Sequence, residues 1–273
     1  MMNRPTYMDN LFEKKKAVFL FKGAYIVVMN LVVIFLVLLW TVTGIVFFPL
    51  VFAFMKYWQK KRTGPITRHC IWIYGKGWQV IVSMFVSFEK SGLDPETFAT
   101  PGIIVVNHRS FFDTYCMNML PESDICFAVR AWPFKIPVYS FFMGLARYLD
   151  LETNPWPTTL ALSRKRLAEG SFLLFFPEGH RSRHCTLTRF HSGAFKLACE
   201  CKVPIIPVCL TGTGTLLPPK RFWLAPSKIV LTGLPPVHPD RFPGKTGHID
   251  LGKEVKSLMA KTLETMEDVD LNP

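Results

Sequence analysis

The hydrophobic positions of this chain form one long block near its start and a series of short blocks afterwards. Between Lys22 and Lys56 lie 33 residues without a charged side chain. A helix that spans a bilayer needs about 20 apolar residues, and this block is too long for the core of a signal peptide. No small-residue cleavage site follows it. The block therefore predicts a membrane anchor, which we place in a segment covering residues 1–62.

The form of the anchor is open. As one helix, the block would extend roughly 50 Å, which exceeds a hydrocarbon core of about 30 Å. Gly44 and Pro49 offer a break point. Basic residues at both ends fit a hairpin whose ends share the cytoplasmic side. A single span followed by an interfacial stretch is the alternative. The flanking basic residues are Lys14, Lys15, Lys16, Lys22, Lys56, Lys60, Lys61 and Arg62.

The short blocks predict strands that alternate with helices. Strands are expected at 103–106, 125–129, 172–176, 204–210 and 228–232, and helices near 111–119, 156–169, 189–201 and 248–267. This alternation predicts an α/β fold with a largely parallel central sheet flanked by helices, because strands covered on both faces have near-continuous apolar sequences. We place this domain at 102–273. An amphipathic helix, at 65–86, and a turn-rich linker fill the preceding segment, 63–101.

Composition narrows the class of partner. The net charge is +12, and 24 phenylalanines contribute to a hydrophobic content of 49%. A basic, aromatic-rich chain suits nucleic acid or an anionic membrane, and the apolar block favours the membrane, so we expect no nucleic-acid partner. The seven cysteines are odd in number and mostly flanked by apolar residues. They predict buried free thiols in a reducing compartment, and their spacing does not fit a zinc site.

Two polar clusters follow predicted strands. In parallel sheets, ligands gather beyond the carboxyl ends of the strands. The first cluster, "NHRSFFD" at 107–113, contains His108 and Asp113. Ser110 and Asp113 also match a capping box, in which case His108 is only a loop residue. The second cluster, "PEGHRSR" at 177–183, combines a turn-forming glycine with two arginines and suits a phosphate group. A solvated turn with a surface Glu–Arg pair is the alternative.

Four segments carry a family resemblance. "NHRSFFD" has the form N-H-x4-D, and "FFPEGHRS" at 175–182 is similar to F-P-E-G-T-R-S. "RFHSGAFKLA" at 189–198 is similar to an F-K-x-G-A segment, and "VPIIPV" at 203–208 to a V-P-I-x-P-V block. In this order they resemble glycerolipid acyltransferases of the lysophosphatidic acid acyltransferase (PlsC) type, over about residues 100–235. The resemblance implies that His108 is the general base and that Asp113 orients its ring and stabilises the imidazolium. It implies no serine nucleophile.

The resemblance also implies substrates and a location. A fatty acyl chain would pass from acyl-CoA or acyl carrier protein to the free hydroxyl of a lyso-glycerolipid, with 1-acylglycerol 3-phosphate (lysophosphatidic acid) preferred. No metal or further cofactor is expected. Membrane lipids are the implied partners, in a bacterial inner membrane or an ER-type membrane, with the catalytic domain facing the cytoplasm. The implied substrate-binding residues are Asn107, Arg130, Glu178, Gly179, Arg181 and Ser182. For Arg130, a plain surface charge is an equal alternative.

Two departures from the family pattern keep other functions open. His180 stands where relatives have threonine, and the block "YLDLE" at 148–152 lacks the arginine that customarily follows its aspartate. That arginine is linked to acceptor recognition, so a different lyso-lipid, such as a lyso-aminolipid, is one alternative. A tafazzin-like transacylase, which needs no thioester, is another. A non-enzymatic, basic, lipid-binding membrane protein is the third.

Overall fold

Two long helices open the chain. The computed structural model describes residues 7–182 and 186–271. Helix α1 covers Tyr7–Ala53 and continues into a π-helical turn at Phe54–Trp58, and helix α2 covers Thr63–Val82. The segment Phe21–Trp58 contains a stretch of 18 residues with a mean hydropathy of 2.8, and it is long and apolar enough to cross a membrane, by length and composition.

Helices α1 and α2 pack side by side in opposite directions. The indole Nε1 of Trp40 donates a hydrogen bond to the carbonyl oxygen of Tyr74, at 3.0 Å. Earlier in α1, Tyr25 packs edge-on against Phe85, just past the end of α2. A Cβ on Gly77 would lie 2.2 Å from the Trp40 ring. The glycine in the predicted amphipathic helix therefore allows the close approach of the two helices.

Of the two forms left open for the anchor, a hairpin inside the apolar block is not observed. Helix α1 runs through Gly44 and Pro49 without interruption, and the chain reverses direction at 59–62 instead. The antiparallel partner of α1 is the predicted amphipathic helix. A proline inside a helix removes one backbone hydrogen bond. At this point Phe48 packs edge-on against Phe142, with ring centroids 5.2 Å apart. Packing of this kind stabilises the helix where the hydrogen bond is missing.

The predicted, largely parallel sheet is confirmed. In the described part of the chain its strands stand in the order β1-β7-β6-β2-β5-β3-β4, and the antiparallel neighbours are β6 and β7. The strands are β1 Ser87–Ser91, β2 Ile103–Val106, β3 Ile125–Val129, β4 Leu149–Asp150, β5 Phe172–Phe175, β6 Ile205–Thr211 and β7 Lys228–Gly233.

Helices cover both faces of the sheet. Side chains alternate along a strand, so Ile104 and Val106 face a core shared with α1 and α2, while Ile103 and Val105 face a second core. The second core lies under α6 and α8 and includes Phe195. The remaining helices are α3 Asp113–Cys116, α4 Pro137–Ala146, α5 Trp156–Ala168, α6 Gly193–Cys201, α7 Thr213–Leu216 and α8 Gly247–Leu271.

The sheet domain begins earlier than the predicted boundary at 102. Residues 87–91, which the sequence assigned to the helix and linker segment, form edge strand β1 and pair with β7. Their sequence, SFEKS, is polar because the strand is mostly exposed. The linker proper is thus shorter than predicted. Helix α4, at Pro137–Ala146, and the short strand β4 were also not predicted.

Candidate functional site

The site lies where β2 and β5 end. These two strands are parallel neighbours, with Val105 opposite Phe175, so their carboxyl ends meet at one edge of the sheet. The segment after β2 carries His108, and the segment after β5 carries Glu178. The two polar clusters of the sequence are therefore adjacent in space.

His108 and Asp113 form a hydrogen-bonded pair. The ring nitrogen Nδ1 of His108 lies 2.8 Å from Oδ2 of Asp113. A carboxylate oxygen only accepts hydrogen bonds, so this contact assigns the proton to Nδ1 and leaves the lone pair on Nε2. The His108 ring stacks on Phe176, with ring centroids 4.3 Å apart. The His108 side chain is 18% exposed, whereas Asp113 is buried. The ring is thus fixed at its inner nitrogen and accessible at its outer one.

The same carboxylate also organises the turn that leads into α3. Oδ2 of Asp113 accepts hydrogen bonds from the backbone N–H groups of Arg109, at 2.7 Å, and Ser110, at 2.9 Å. This is the Asp113 half of the predicted capping box. The other half differs, because Ser110 Oγ accepts from Phe112 N and donates to the Leu217 carbonyl. Oδ2 of Asp113 therefore caps the turn and also bonds the histidine ring, so both interpretations of the motif apply to the same atom.

The segment after β5 holds the backbone of His108 from two sides. Glu178 Oε1 accepts a hydrogen bond from the His108 N–H, at 2.9 Å. The backbone N–H of Ser182 donates to the His108 carbonyl oxygen, at 2.8 Å. Ser182 itself is buried. The second cluster thus supports the first, and the position of His108 depends on both.

Both carboxylate oxygens of Glu178 bond protein groups, and its predicted acceptor contact stays a prediction. Its side chain is 1% exposed, and its second oxygen, Oε2, accepts hydrogen bonds from Thr188 N at 3.0 Å and Thr188 Oγ1 at 2.7 Å. Burial of a carboxylate is costly unless hydrogen bonds compensate it, and these three donors do so. Glu178 therefore braces the loop that carries His108.

A tight turn follows β5 and brings the second cluster to the surface. Gly179 N donates to the Phe176 carbonyl at 3.0 Å, with Pro177 at the second position of the turn. Gly179 has φ +70°, and a Cβ there would lie 2.9 Å from the His191 ring. Arg181 and His180 are exposed next to this turn. Arg183, the other arginine of the predicted phosphate site, lies outside the described residues.

Asn107 lies behind the site. Its amide nitrogen donates to the Leu210 carbonyl and its amide oxygen accepts from the Leu210 N–H, both at 2.8 Å. The side chain is 1% exposed. Asn107 links the end of β2 to β6, which fixes the direction in which His108 leaves the sheet, and its predicted substrate contact stays a prediction.

Arg130 lies on the same edge of the sheet, after β3, and is not a lone surface charge. Its Nε is 2.6 Å from Oε1 of Glu152, and Oε2 of Glu152 accepts a hydrogen bond from the Ala131 N–H at 2.9 Å. The Arg130 and Glu152 side chains are 60% and 41% exposed. The altered "YLDLE" block thus supplies the partner of the predicted phosphate-binding arginine.

The described cysteines are poor nucleophiles. Burial raises the pKa of the Cys126 thiol to about 11 and that of Cys209 to about 12. Burial, and then the nearby Asp113 carboxylate, raise the pKa of Cys116. These thiols stay protonated at neutral pH and do not attack a carbonyl group. Among the residues that the structure describes, no three His, Cys, Asp or Glu side chains are grouped as metal ligands.

Four contacts of the site involve residues to which the sequence analysis gave no role. They are the stacking of Phe176 on His108, the two hydrogen bonds from Thr188 to Glu178, and the hydrogen bond from Ser110 to the Leu217 carbonyl. Phe176 directly precedes the Pro-Glu-Gly turn, so its position gave a signal. The positions of Thr188 and Leu217 in the sequence gave no such signal, because only the folded chain brings them to the site.

Known proteins are similar to this chain in sequence and in fold. Residues 88–211 match the family model "Acyltransferase". A 1-acyl-sn-glycerol-3-phosphate acyltransferase of Chlamydomonas reinhardtii is 32% identical over 202 residues, which are 71% of this chain and 58% of that protein. A chloroplastic 1-acyl-sn-glycerol-3-phosphate acyltransferase of Brassica napus is 35% identical over 122 residues, 44% of this chain and 35% of that protein. The chain thus spans only part of the length of these relatives.

A solved structure supports the fold over nearly the whole chain. The crystal structure of the 1-acyl-sn-glycerophosphate (LPA) acyltransferase PlsC from Thermotoga maritima superimposes with a TM-score of 0.73. The match covers 90% of this chain and 98% of that chain, at 22% identity. The family resemblance of the four sequence segments is confirmed, and residues 88–211 of this chain form a domain of the Acyltransferase family.

Proposed function

We propose that this protein is a membrane-bound O-acyltransferase that transfers a fatty acyl chain to the free hydroxyl of a lyso-glycerophospholipid, with 1-acylglycerol 3-phosphate as acceptor. The observation that carries the proposal is the His108–Asp113 pair, at 2.8 Å, on the edge of the sheet where both polar clusters meet. The relatives from Chlamydomonas reinhardtii and Brassica napus are 1-acyl-sn-glycerol-3-phosphate acyltransferases, which supports this acceptor.

In this mechanism His108 is the general base. Nε2 has no hydrogen-bond partner among the described residues, so its lone pair is available to the acceptor hydroxyl. As the hydroxyl oxygen attacks the thioester carbonyl, its proton passes to Nε2, and Asp113 stabilises the imidazolium through Nδ1. The tetrahedral intermediate then collapses, the C–S bond breaks, and the leaving thiolate takes the proton from Nε2. The acyl chain is now esterified to the acceptor.

The developing oxyanion needs hydrogen-bond donors. The backbone N–H groups of His180 and Arg181 follow the left-handed Gly179, and in the described part of the chain neither has a hydrogen-bond partner. Successive N–H groups around such a turn form an anion-binding concavity. We assign this turn to the oxyanion or to the acceptor phosphate, with the exposed Arg181 as the charged group. The donor is acyl-CoA or acyl carrier protein.

The packing of α1 supports a position along the membrane rather than across it. Asn30 exchanges hydrogen bonds with the backbone of Leu224, and Phe48 packs against Phe142 of α4. These contacts are about 27 Å apart along α1, close to the thickness of a hydrocarbon core. If α1 crossed the membrane perpendicularly, the two contacts with Leu224 and with Phe142 would lie inside the hydrocarbon core. The outer face of α1, the exposed Phe222 and the α4 residue Phe141 provide the apolar surface for insertion into one leaflet.

The test is acyl transfer by the purified full-length protein in detergent micelles. Labelled acyl-CoA is offered with lysophosphatidic acid, lysophosphatidylcholine or lysophosphatidylglycerol, and labelled acyl carrier protein replaces acyl-CoA in a second series. We expect transfer to lysophosphatidic acid, and its loss in the variant His108→Ala with the protein still folded. Near-normal turnover in His108→Ala would refute the mechanism. Transfer from a labelled phospholipid in the absence of any thioester would instead indicate a transacylase.

A further inference from the structure

The ends of β3 and β4 meet in a second charged pair on the catalytic edge of the sheet. These strands pair in parallel, with Val129 opposite Asp150. The residues that follow bring Arg130 Nε to 2.6 Å from Glu152 Oε1, and the Ala131 N–H to 2.9 Å from Glu152 Oε2. Both Glu152 oxygens are therefore held, one by a charged group and one by the backbone.

The strand order places this pair on the same edge of the sheet as His108. Strand β5 lies between β2 and β3, and β4 is next to β3, with all four strands parallel. Strands are about 4.8 Å apart, so the ends of β2 and β3, which lead into His108 and Arg130, are about 10 Å apart across the sheet edge. The headgroup of a lyso-lipid whose hydroxyl lies at His108 can reach over this distance.

The geometry of the pair leaves a binding edge open. Glu152 engages the Nε side of the guanidinium, and Nη1 and Nη2 of Arg130 have no hydrogen-bond partner among the residues that the structure describes. The hydrogen bond from Ala131, and then the contact with Arg130, lower the pKa of the Glu152 carboxyl. The carboxylate is therefore ionised throughout the neutral range. Exposed ion pairs contribute little to stability, so a substitution in this pair should leave the fold intact.

We propose that Arg130 and Glu152 form the headgroup subsite of the enzyme, and that Glu152 sets its selectivity for headgroup charge. This inference rests on the proposed function. A lone guanidinium favours the phosphate with the highest charge, which is the phosphomonoester of lysophosphatidic acid. The pair has no net charge, so it binds a phosphodiester at the Nη edge and a headgroup amine at the carboxylate. Lysophospholipids with an amine headgroup are thus acceptors beside lysophosphatidic acid.

The experiment compares two acceptors in the full-length protein. We measure kcat and KM for lysophosphatidic acid and lysophosphatidylethanolamine with the wild type, Glu152→Gln, Arg130→Gln and the double variant. Glu89→Gln is the matched control, because Glu89 is also exposed and pairs with Lys228 at the opposite edge of the sheet. In Glu152→Gln we expect the ratio of kcat/KM to shift about two- to fivefold towards lysophosphatidic acid, the scale of an exposed charge pair.

Three further results are expected if the subsite acts through charge. The shift lies in KM, because headgroup contacts are the same in the ground state and the transition state. It decreases at high salt, because exposed charges are screened. It is smaller when Glu152→Gln is introduced into Arg130→Gln, because the two residues are in contact and their effects are not additive. A purely structural role of Glu152 changes both acceptors equally.

The failures are distinguishable. An unchanged acceptor ratio in Glu152→Gln, with turnover intact, overturns the subsite and leaves the proposed function in place. A ratio that shifts equally in Glu89→Gln also overturns it, since the effect is then one of overall charge. No transfer to either acceptor by the wild type, from acyl-CoA or acyl carrier protein, overturns the proposed function and the subsite with it.

Discussion

Replacing Asp113 with asparagine removes one charge and almost no volume. Asp113 is completely buried, and three donors converge on its Oδ2: His108 Nδ1 and the N–H groups of Arg109 and Ser110. An asparagine oxygen can take the place of Oδ2 and keep all three contacts. The substitution therefore separates the negative charge of the dyad from its geometry.

The expected loss of rate follows from the distance between the two charges. In the transition state the imidazolium forms with Nδ1 2.8 Å from the carboxylate oxygen. At an effective dielectric constant of about 20, two unit charges at this separation attract each other by about 6 kcal/mol. The amide dipole recovers part of this energy, which leaves a loss of about 3 to 5 kcal/mol. This corresponds to a decrease in kcat of about 10² to 10⁴.

The measurement is kcat and KM for acyl transfer at saturating donor, with Asp250→Asn as control. Asp250 is exposed in the first turn of α8, pairs with Lys253 and belongs to neither polar cluster. We expect KM of Asp113→Asn to stay near the wild-type value, because the buried carboxylate does not contact the acceptor.

A folding control accompanies the kinetic measurement. The new amide nitrogen takes the place of Oδ1, which has no hydrogen-bond partner in the described part of the chain. Two unpaired buried donors cost about 1 to 3 kcal/mol of stability, so the thermal midpoint should fall moderately. A kcat within about threefold of wild type in the folded variant would refute the role of the Asp113 charge.

Three further predictions concern stability. Arg68→Ala should lower the free energy of unfolding by about 3 to 5 kcal/mol in a denaturant titration, because the buried guanidinium bonds three partners; Arg164→Ala, at an exposed pair, should cost at most about 1 kcal/mol, and equal losses would contradict this. Gly77→Ala should destabilise the protein despite the better helix propensity of alanine, since its Cβ would lie 2.2 Å from Trp40; a higher thermal midpoint would be the contrary result. Burial raises the pKa of the Cys209 thiol from 9.0 to about 12, so the thiol loses its proton more easily in the unfolded chain, and the free energy of unfolding falls as the pH rises from about 9 to 12. In Cys209→Ala the thermal midpoint should fall less steeply with pH over this range, and an equal slope in the variant and the wild type would show that this thiol is not the cause.

The strands that position the site could be predicted because they are buried on both faces. The segments 103–106 and 125–129 are short apolar runs, and the structure gives them the same bounds. Strand β1 escaped prediction because its sequence, SFEKS, belongs to an exposed edge and has no apolar periodicity. The continuity of α1 through Pro49 was also out of reach, since it depends on packing against α2 and α4 rather than on local propensity.

The roles of individual polar residues were harder to predict than their position. The sequence placed Glu178 and Asn107 at the site, but not their partners, because each bonds a backbone group 70 or more residues away. The contact between His108 and Asp113 could be predicted from their spacing, because a five-residue separation across the start of a helix brings the two side chains together locally. Local geometry was therefore predictable, and contacts between distant segments were not.

The two polar clusters act as one unit, and this explains why they occur together in the chain. His108 receives its ring partner from its own cluster, through Asp113, but the partners of its backbone N–H and C=O come from Glu178 and Ser182 in the other. The N–H bond fails if Glu178 is changed, even though Glu178 is buried away from solvent. Loss of Glu178 would also leave Thr188 without its acceptor. A histidine–aspartate pair at the right spacing is therefore not sufficient for this site: the base acquires a fixed position only when the segment after β5 closes over it.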